Sequence, residues 1–131
     1  MRARGKSPAR VDDKMWPKHV TVTISPPSRR GEERFCTVAP SVFRIRHGGT
    51  VRFESSFGPF TLFIPTPRRA PKPFQRLRGP VASIPAGRKA KRLKVTHGWG
   101  VHEYPYALYS HEFNCFAKGS IPKMIIGPEN R

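Results

Sequence analysis

The sequence predicts a single all-β domain, an antiparallel Greek-key β-sandwich of about seven to eight short strands. Three observations carry that expectation. Apolar residues alternate with polar ones over short stretches, the period-two mark of strands with one buried face. These stretches recur at intervals of roughly 8–15 residues with Gly and Pro between them, as in sandwiches and barrels. No long window keeps helical periodicity, and the chain carries 15 prolines in 131 residues. An interior proline removes a helical hydrogen bond and clashes with the preceding turn, which counts against a helical bundle.

The elements follow in order. Residues 1–17 lack periodicity and are rich in charge, so they are expected to be a flexible basic tail, with residues 18–131 as the sandwich domain. Val20, Val22 and Ile24 alternate with Thr21 and Thr23, the first strand. Pro26, Pro27 and Gly31 bracket a loop, and residues 35–38 suit a short edge strand ended by Pro40. Phe43 and Ile45 alternate with Arg44 and Arg46. His47, Gly48 and Gly49 make a turn, because glycine reaches positive φ at no steric cost. Val51 and Phe53 then alternate with Arg52 and Glu54. Residues 60–64 (FTLFI) form a continuous apolar run, expected to be a strand buried on both faces. A proline-rich loop spans 65–80, followed by a short strand at 81–84 and a turn at Pro85 and Gly87. Leu93 and Val95 alternate with Arg92, Lys94 and Thr96. Tyr104, Tyr106 and Leu108 recur at period two, and Met124 to Ile126 make a closing strand.

Composition bounds the function. Lys and Arg number 25 against 8 acids, a net charge of +17, while 37% of residues are hydrophobic. No apolar run approaches the ~18 residues of a membrane span, so no membrane insertion is expected. No apolar stretch follows the basic N-terminus, so no signal peptide is expected and the predicted compartment is the cytoplasm, or the periplasm if a leader was removed. Two cysteines make neither a disulfide framework nor a four-thiolate zinc site. Cys36 and Cys115 suit either a pair in an exported protein or two buried thiols. The acids are dispersed, and no carboxylate pair, phosphate-cradling glycine loop or nucleophile elbow is present, so an enzyme is not expected.

The C-terminal third carries the most specific pattern. It reads Ile84-Pro85-Ala86-Gly87, an alternating strand, Gly100-x3-Tyr104-x-Tyr106-x-Leu108-x2-His111, and then residues 121–126 (IPKMII). Together with His47-Gly48-Gly49-Thr50-Val51-Arg52-Phe53, this resembles the cupredoxins, the blue-copper β-sandwich family. The resemblance covers residues 20–128 and implies a cupredoxin-like fold. It also implies where copper ligands would stand. A blue-copper centre uses two His, one Cys thiolate and a weak axial Met. The Cys position falls on Leu108, the following His on His111, the Met near Cys115 or Phe116, and the first His near Phe60 or Thr61. One ligand of the set remains, so no ordinary blue-copper site and no resident cofactor are expected. His97, His102, His111 and Cys115 stay as candidate ligands of a makeshift copper or zinc site, with Met124 as a soft addition.

The charge is concentrated. Between Glu54 and Glu103 no acid occurs, while that interval holds Arg68, Arg69, Lys72, Arg76, Arg78, Arg88, Lys89, Lys91, Arg92 and Lys94. Phe74 sits among them, either as a ring for stacking on a base or as a pin for the loop. The expected function is a non-enzymatic binding module. Arg68, Arg69, Lys72, Arg76, Arg78, Arg88, Lys89, Lys91 and Arg92 would present a basic face to an anionic macromolecule, nucleic acid or acidic protein. The alternative is a copper-handling cupredoxin relative using His111 with its neighbours. An OB-type barrel is the alternative fold and would favour nucleic acid.

Overall fold

The computed structural model describes residues 14–25, 36–55, 58–77, 79–85, 87, 90–117 and 122–128. Among them eleven strands run in chain order. They are β1 (His19–Ser25), β2 (Thr37–Ala39), β3 (Val42–Arg46), β4 (Thr50–Ser55), β5 (Phe60–Phe63) and β6 (Val81–Ile84), then β7 (Lys91–Lys94), β8 (His102–Pro105), β9 (Ala107–Ser110), β10 (Cys115–Phe116) and β11 (Lys123–Gly127). They form three sheets with strand orders β2-β1-β4-β7, β10-β9-β5-β6 and β3-β11-β8. The second and third sheets meet at Tyr106, the one residue between β8 and β9. Pro105, which has no N–H for a ladder, stands at that break. The chain crosses repeatedly between layers, and a single hydrophobic cluster collects the inward side chains of all three sheets.

The strand alternation read from the sequence is the alternation of burial. Val22 and Ile24 on β1, Phe43 and Ile45 on β3, and Val51 and Phe53 on β4 face the core, and the polar residues between them face out. Tyr104 and Tyr106 are buried with their hydroxyls spent on carbonyls, Tyr104 donating to Pro71 O at 2.7 Å and Tyr106 to Ser41 O at 3.1 Å. A buried phenol needs such a partner, because an unmet hydroxyl in the core costs more than the bond is worth. Burial pushes the Tyr104 hydroxyl up to about 12 and that of Tyr106 further up. Cys36 is fully buried; the side chain of Cys115 lies outside the described residues.

The structure differs from the sequence reading in four ways. The strands number eleven among the described residues, more than expected, because the Tyr104–Leu108 run divides at Pro105 and because β10 is too short to show a period. The pairing is mixed: β1 runs parallel to β4, and β3 parallel to β11. Alternation fixes which face is buried and carries nothing about strand direction. The run at 60–64 is buried on one face only. Phe60, Leu62 and Ile64 point inward, whereas Phe63 is 36% exposed, since among the described residues no layer covers the outer side of β5. Finally, ordered structure begins before residue 18. Trp16 is buried, Arg44 lies over its ring at 5.7 Å, and Pro17 O accepts from Arg46 N at 3.0 Å. Residues 1–13 of the expected tail lie outside the described residues.

Candidate functional site

The basic interval is assembled at the edge of the first sheet. β7 is the last strand there, and the 65–80 loop returns along its outer edge. Gln75 N donates to Lys94 O at 2.9 Å and Thr96 N to Pro73 O at 3.0 Å, while Phe74 forms an isolated bridge with Val95. The side chains stitch the same seam, with Thr96 Oγ1 donating to Lys72 O at 2.6 Å and Gln75 Nε2 to Val95 O at 3.2 Å. Phe74 is fully buried, so it pins the loop and offers no ring for base stacking.

This seam brings the two groups of cations together. Lys72 and Arg76 are exposed on the loop strand beside β7, and Arg92 and Lys94 are exposed on the outer face of β7 itself. Lys91 is half-buried. Arg68 and Arg69 form an exposed turn farther along the loop, where Arg69 takes a left-handed φ of 68°. Arg78, Arg88 and Lys89 lie outside the described residues. Among the described residues, ion pairs join Arg52 to Glu54 at 3.4 Å and Lys123 to Glu103 at 2.8 Å, and none involves the loop or β7 cations. Among the described residues no acid compensates their mutual repulsion, which is the condition under which an external anion is attracted.

Arg52 belongs to this surface and sequence reasoning left it out. It precedes the acid-free interval, but β4 pairs with β7 so that Arg52 stands directly opposite Arg92. The available signal was its alternation with Val51 and Phe53, which turns it outward; its neighbour across the ladder is a property of the pairing.

Among the described residues the three candidate histidines do not gather at one place, and the side chain of Cys115 lies outside those residues. His97 and His102 lie at one end of the sandwich, with His47, which the sequence reading had placed only in a turn. His47 Nε2 donates to Gly100 O at 2.7 Å and His102 Nε2 to Trp99 O at 3.2 Å, and the two rings stand edge to face at 6.4 Å. His97 packs so closely on Gly48 (φ +78°) that a Cβ there would come within 2.5 Å of its ring. With Pro71 and Trp99, His97 and His102 line a groove of about 480 Å³. His111 is bound up elsewhere, sharing a hydrogen bond with Thr61 at 2.5 Å and packing on Tyr109 at 5.5 Å. Among the described residues no group of three or more His, Cys, Asp or Glu is arranged to hold a metal ion. The blue-copper donor set does not fit either. Leu108, at the thiolate position, is wholly buried beside Leu62, and Thr61 Oγ1 shares a hydrogen bond with His111 Nε2.

No family model and no curated protein matches the chain. Among solved structures it is similar to a purple cupredoxin from Nitrosopumilus maritimus, at 14% identity over 82% of this chain and 99% of that one, with a TM-score of 0.43. It is also similar to the dithionite-reduced auracyanin of Roseiflexus castenholzii, at 11% identity over 86% and 99% of the two chains, TM-score 0.44. Auracyanin B is similar at 11% identity over 86% and 91%, TM-score 0.43. Among the described residues the fold is an all-β sandwich of three sheets around one hydrophobic core. Among the described residues no helix is long and apolar enough to cross a membrane.

Proposed function

We propose that the chain is a non-enzymatic binding module that offers the β7 flank to an anionic macromolecule, nucleic acid or acidic protein. The observation that carries this reading is the seam between the 65–80 loop and β7, which gathers Lys72, Arg76, Arg92 and Lys94 around one strand edge without an acidic partner among the described residues. Cations held on a rigid strand and a pinned loop lose little freedom on meeting phosphates, and each phosphate neutralised releases condensed counterions. With the Phe74 ring buried, contact would be made through charge and backbone position, with little base discrimination.

The test is fluorescence anisotropy of a labelled duplex, with polyglutamate as a parallel anionic ligand. Lys72, Arg76, Arg92, Lys94 and the facing Arg52, engaging about five phosphates, give a salt slope near −4.5, so raising salt fourfold weakens binding by roughly 500-fold. Absence of binding at low salt, or binding indifferent to salt, overturns the reading. Tighter binding of polyglutamate than of duplex identifies an acidic protein as the partner.

A further inference from the structure

We infer that the outer face of the first sheet contains a discrete seat for one tetrahedral oxyanion, a phosphate group, built around the facing pair Arg52 and Arg92. This deepens the anion-binding reading by naming one chemical group and one place for it.

The register defines the seat. Thr21, Arg52 and Arg92 stand in one row across β1, β4 and β7, and His19, Thr50 and Lys94 stand in the next outward row. Residues two apart on a strand share a face, so the two rows form one patch. Side chains directly opposite in a ladder lie about 5 Å apart at Cβ, and like charges there repel. Arg52 and Arg92 therefore oppose each other at the centre of a groove of about 440 Å³ that His19, Val20, Thr21 and Thr50 also line.

The neighbouring charges set the orientation. Glu54, one row beyond, lies 3.4 Å from Arg52 Nε and accepts from Thr23 Oγ1 at 3.4 Å. That approach to Nε is an ion pair without hydrogen-bond geometry, and the Nε is buried with no hydrogen-bond partner. Glu54 thus partly restrains Arg52 from one side. Arg92 has no ion-pair partner among the described residues. The cationic pair is half compensated at most.

A phosphate matches what remains. Each guanidinium is a planar fork of donors suited to two oxygens of one anion. Two forks on adjacent strands need an acceptor whose oxygens point in different directions, which a tetrahedral group supplies. A carboxylate offers only two oxygens in one plane, so it spans two forks that approach from different directions less well than a tetrahedral anion with three or four oxygens does. The Thr21 and Thr50 hydroxyls and a His19 ring N–H add donors on the flank. Binding would also relieve the Arg52–Arg92 repulsion, so it should raise the melting temperature.

The experiment is a titration of the full chain with inorganic phosphate at constant ionic strength, followed by amide NMR and thermal melting, with acetate as the control anion. Saturable shifts confined to residues 19–21, 50–52 and 92–94, a phosphate-dependent rise in melting temperature, and no such response to acetate support the seat. Arg92→Gln and Arg52→Gln should each weaken phosphate at least tenfold, while Lys123→Gln, on the third sheet and outside the proposed surface, leaves it within twofold. Non-saturating shifts spread over every surface cation, an equal response to acetate, or unchanged affinity in Arg92→Gln overturn it. Saturable phosphate binding with no binding of duplex or polyglutamate supports the seat for small phosphorylated ligands and overturns the macromolecular reading. Duplex binding without saturable phosphate binding overturns the seat alone.

Discussion

Replacing Phe74 with alanine tests the element on which the proposed surface depends. The side chain is fully buried, and it is flanked by four hydrogen bonds that tie the 65–80 loop to residues 94–96. Truncating a buried phenylalanine costs about 3–5 kcal/mol, the lost transfer of the ring plus the cavity left behind. Native domains are stable by only about 5–15 kcal/mol, so the variant should lose about a fifth or more of its stability. Phe74→Leu keeps most of the apolar volume and should cost about 1–2 kcal/mol. Urea unfolding of the three proteins gives these differences from the midpoints at constant slope. Hydrogen exchange separates local from global effects. In Phe74→Leu the Gln75 and Thr96 amides should lose more protection than the amides of β3 and β11, because the seam opens before the whole sandwich does. Duplex affinity should fall in the same variant, since Lys72 and Arg76 are then no longer held beside β7. A Phe74→Ala cost below about 1 kcal/mol, with duplex affinity lost, would show that Phe74 acts as an exposed stacking ring and refute the pinned-loop argument.

Other outcomes follow from particular contacts. Gly127→Ala puts a Cβ within 2.6 Å of the Trp16 ring, so it should expel that ring and destabilise by about 1–3 kcal/mol; in a Trp99→Phe background, a red-shifted Trp16 emission reports it, and an unchanged spectrum contradicts it. Burial raises the tyrosine hydroxyls in the fold, Tyr104 from its ordinary 10.0 to about 12. The unfolded chain therefore releases its phenolic protons first, and stability is full below pH 10 and falls as pH rises from 10 through 12. Tyr104→Phe should flatten that alkaline fall while costing about 1 kcal/mol at neutral pH for the lost bond to Pro71; an alkaline limb identical to wild type would contradict the burial argument. Glu103→Gln removes an exposed ion pair to Lys123 and should change stability by less than about 1 kcal/mol, which a larger shift in denaturation midpoint would disprove.

Much of the sandwich was legible in the chain because inward and outward residues alternate wherever one face is covered. β1, β3 and β4 could be placed from that period alone, and the tyrosine run marked the strand that carries the chain from one sheet to the next. The two parallel pairings could not be placed, because direction leaves no trace in a period of two. β5 read as doubly buried, since an exposed Phe63 looks the same in sequence as a core phenylalanine. Trp16 was assigned to a tail because its partner, the bare backbone at Gly127, is over a hundred residues away in the chain.

The site divides in the same way. The excess of positive charge and its concentration between Glu54 and Glu103 are properties of the sequence, as is the absence of a thiolate at position 108. Which cations share a surface is decided only by the tertiary structure. The loop cations reach β7 because Phe74 is drawn into the core, and Arg52 meets Arg92 because β4 and β7 pair in that register. His97 and His102 are separated from His111 because they stand on different elements, fixed by different partners. Charge and hydrophobic period are written residue by residue, whereas proximity across a ladder arises only when distant strands find a common core.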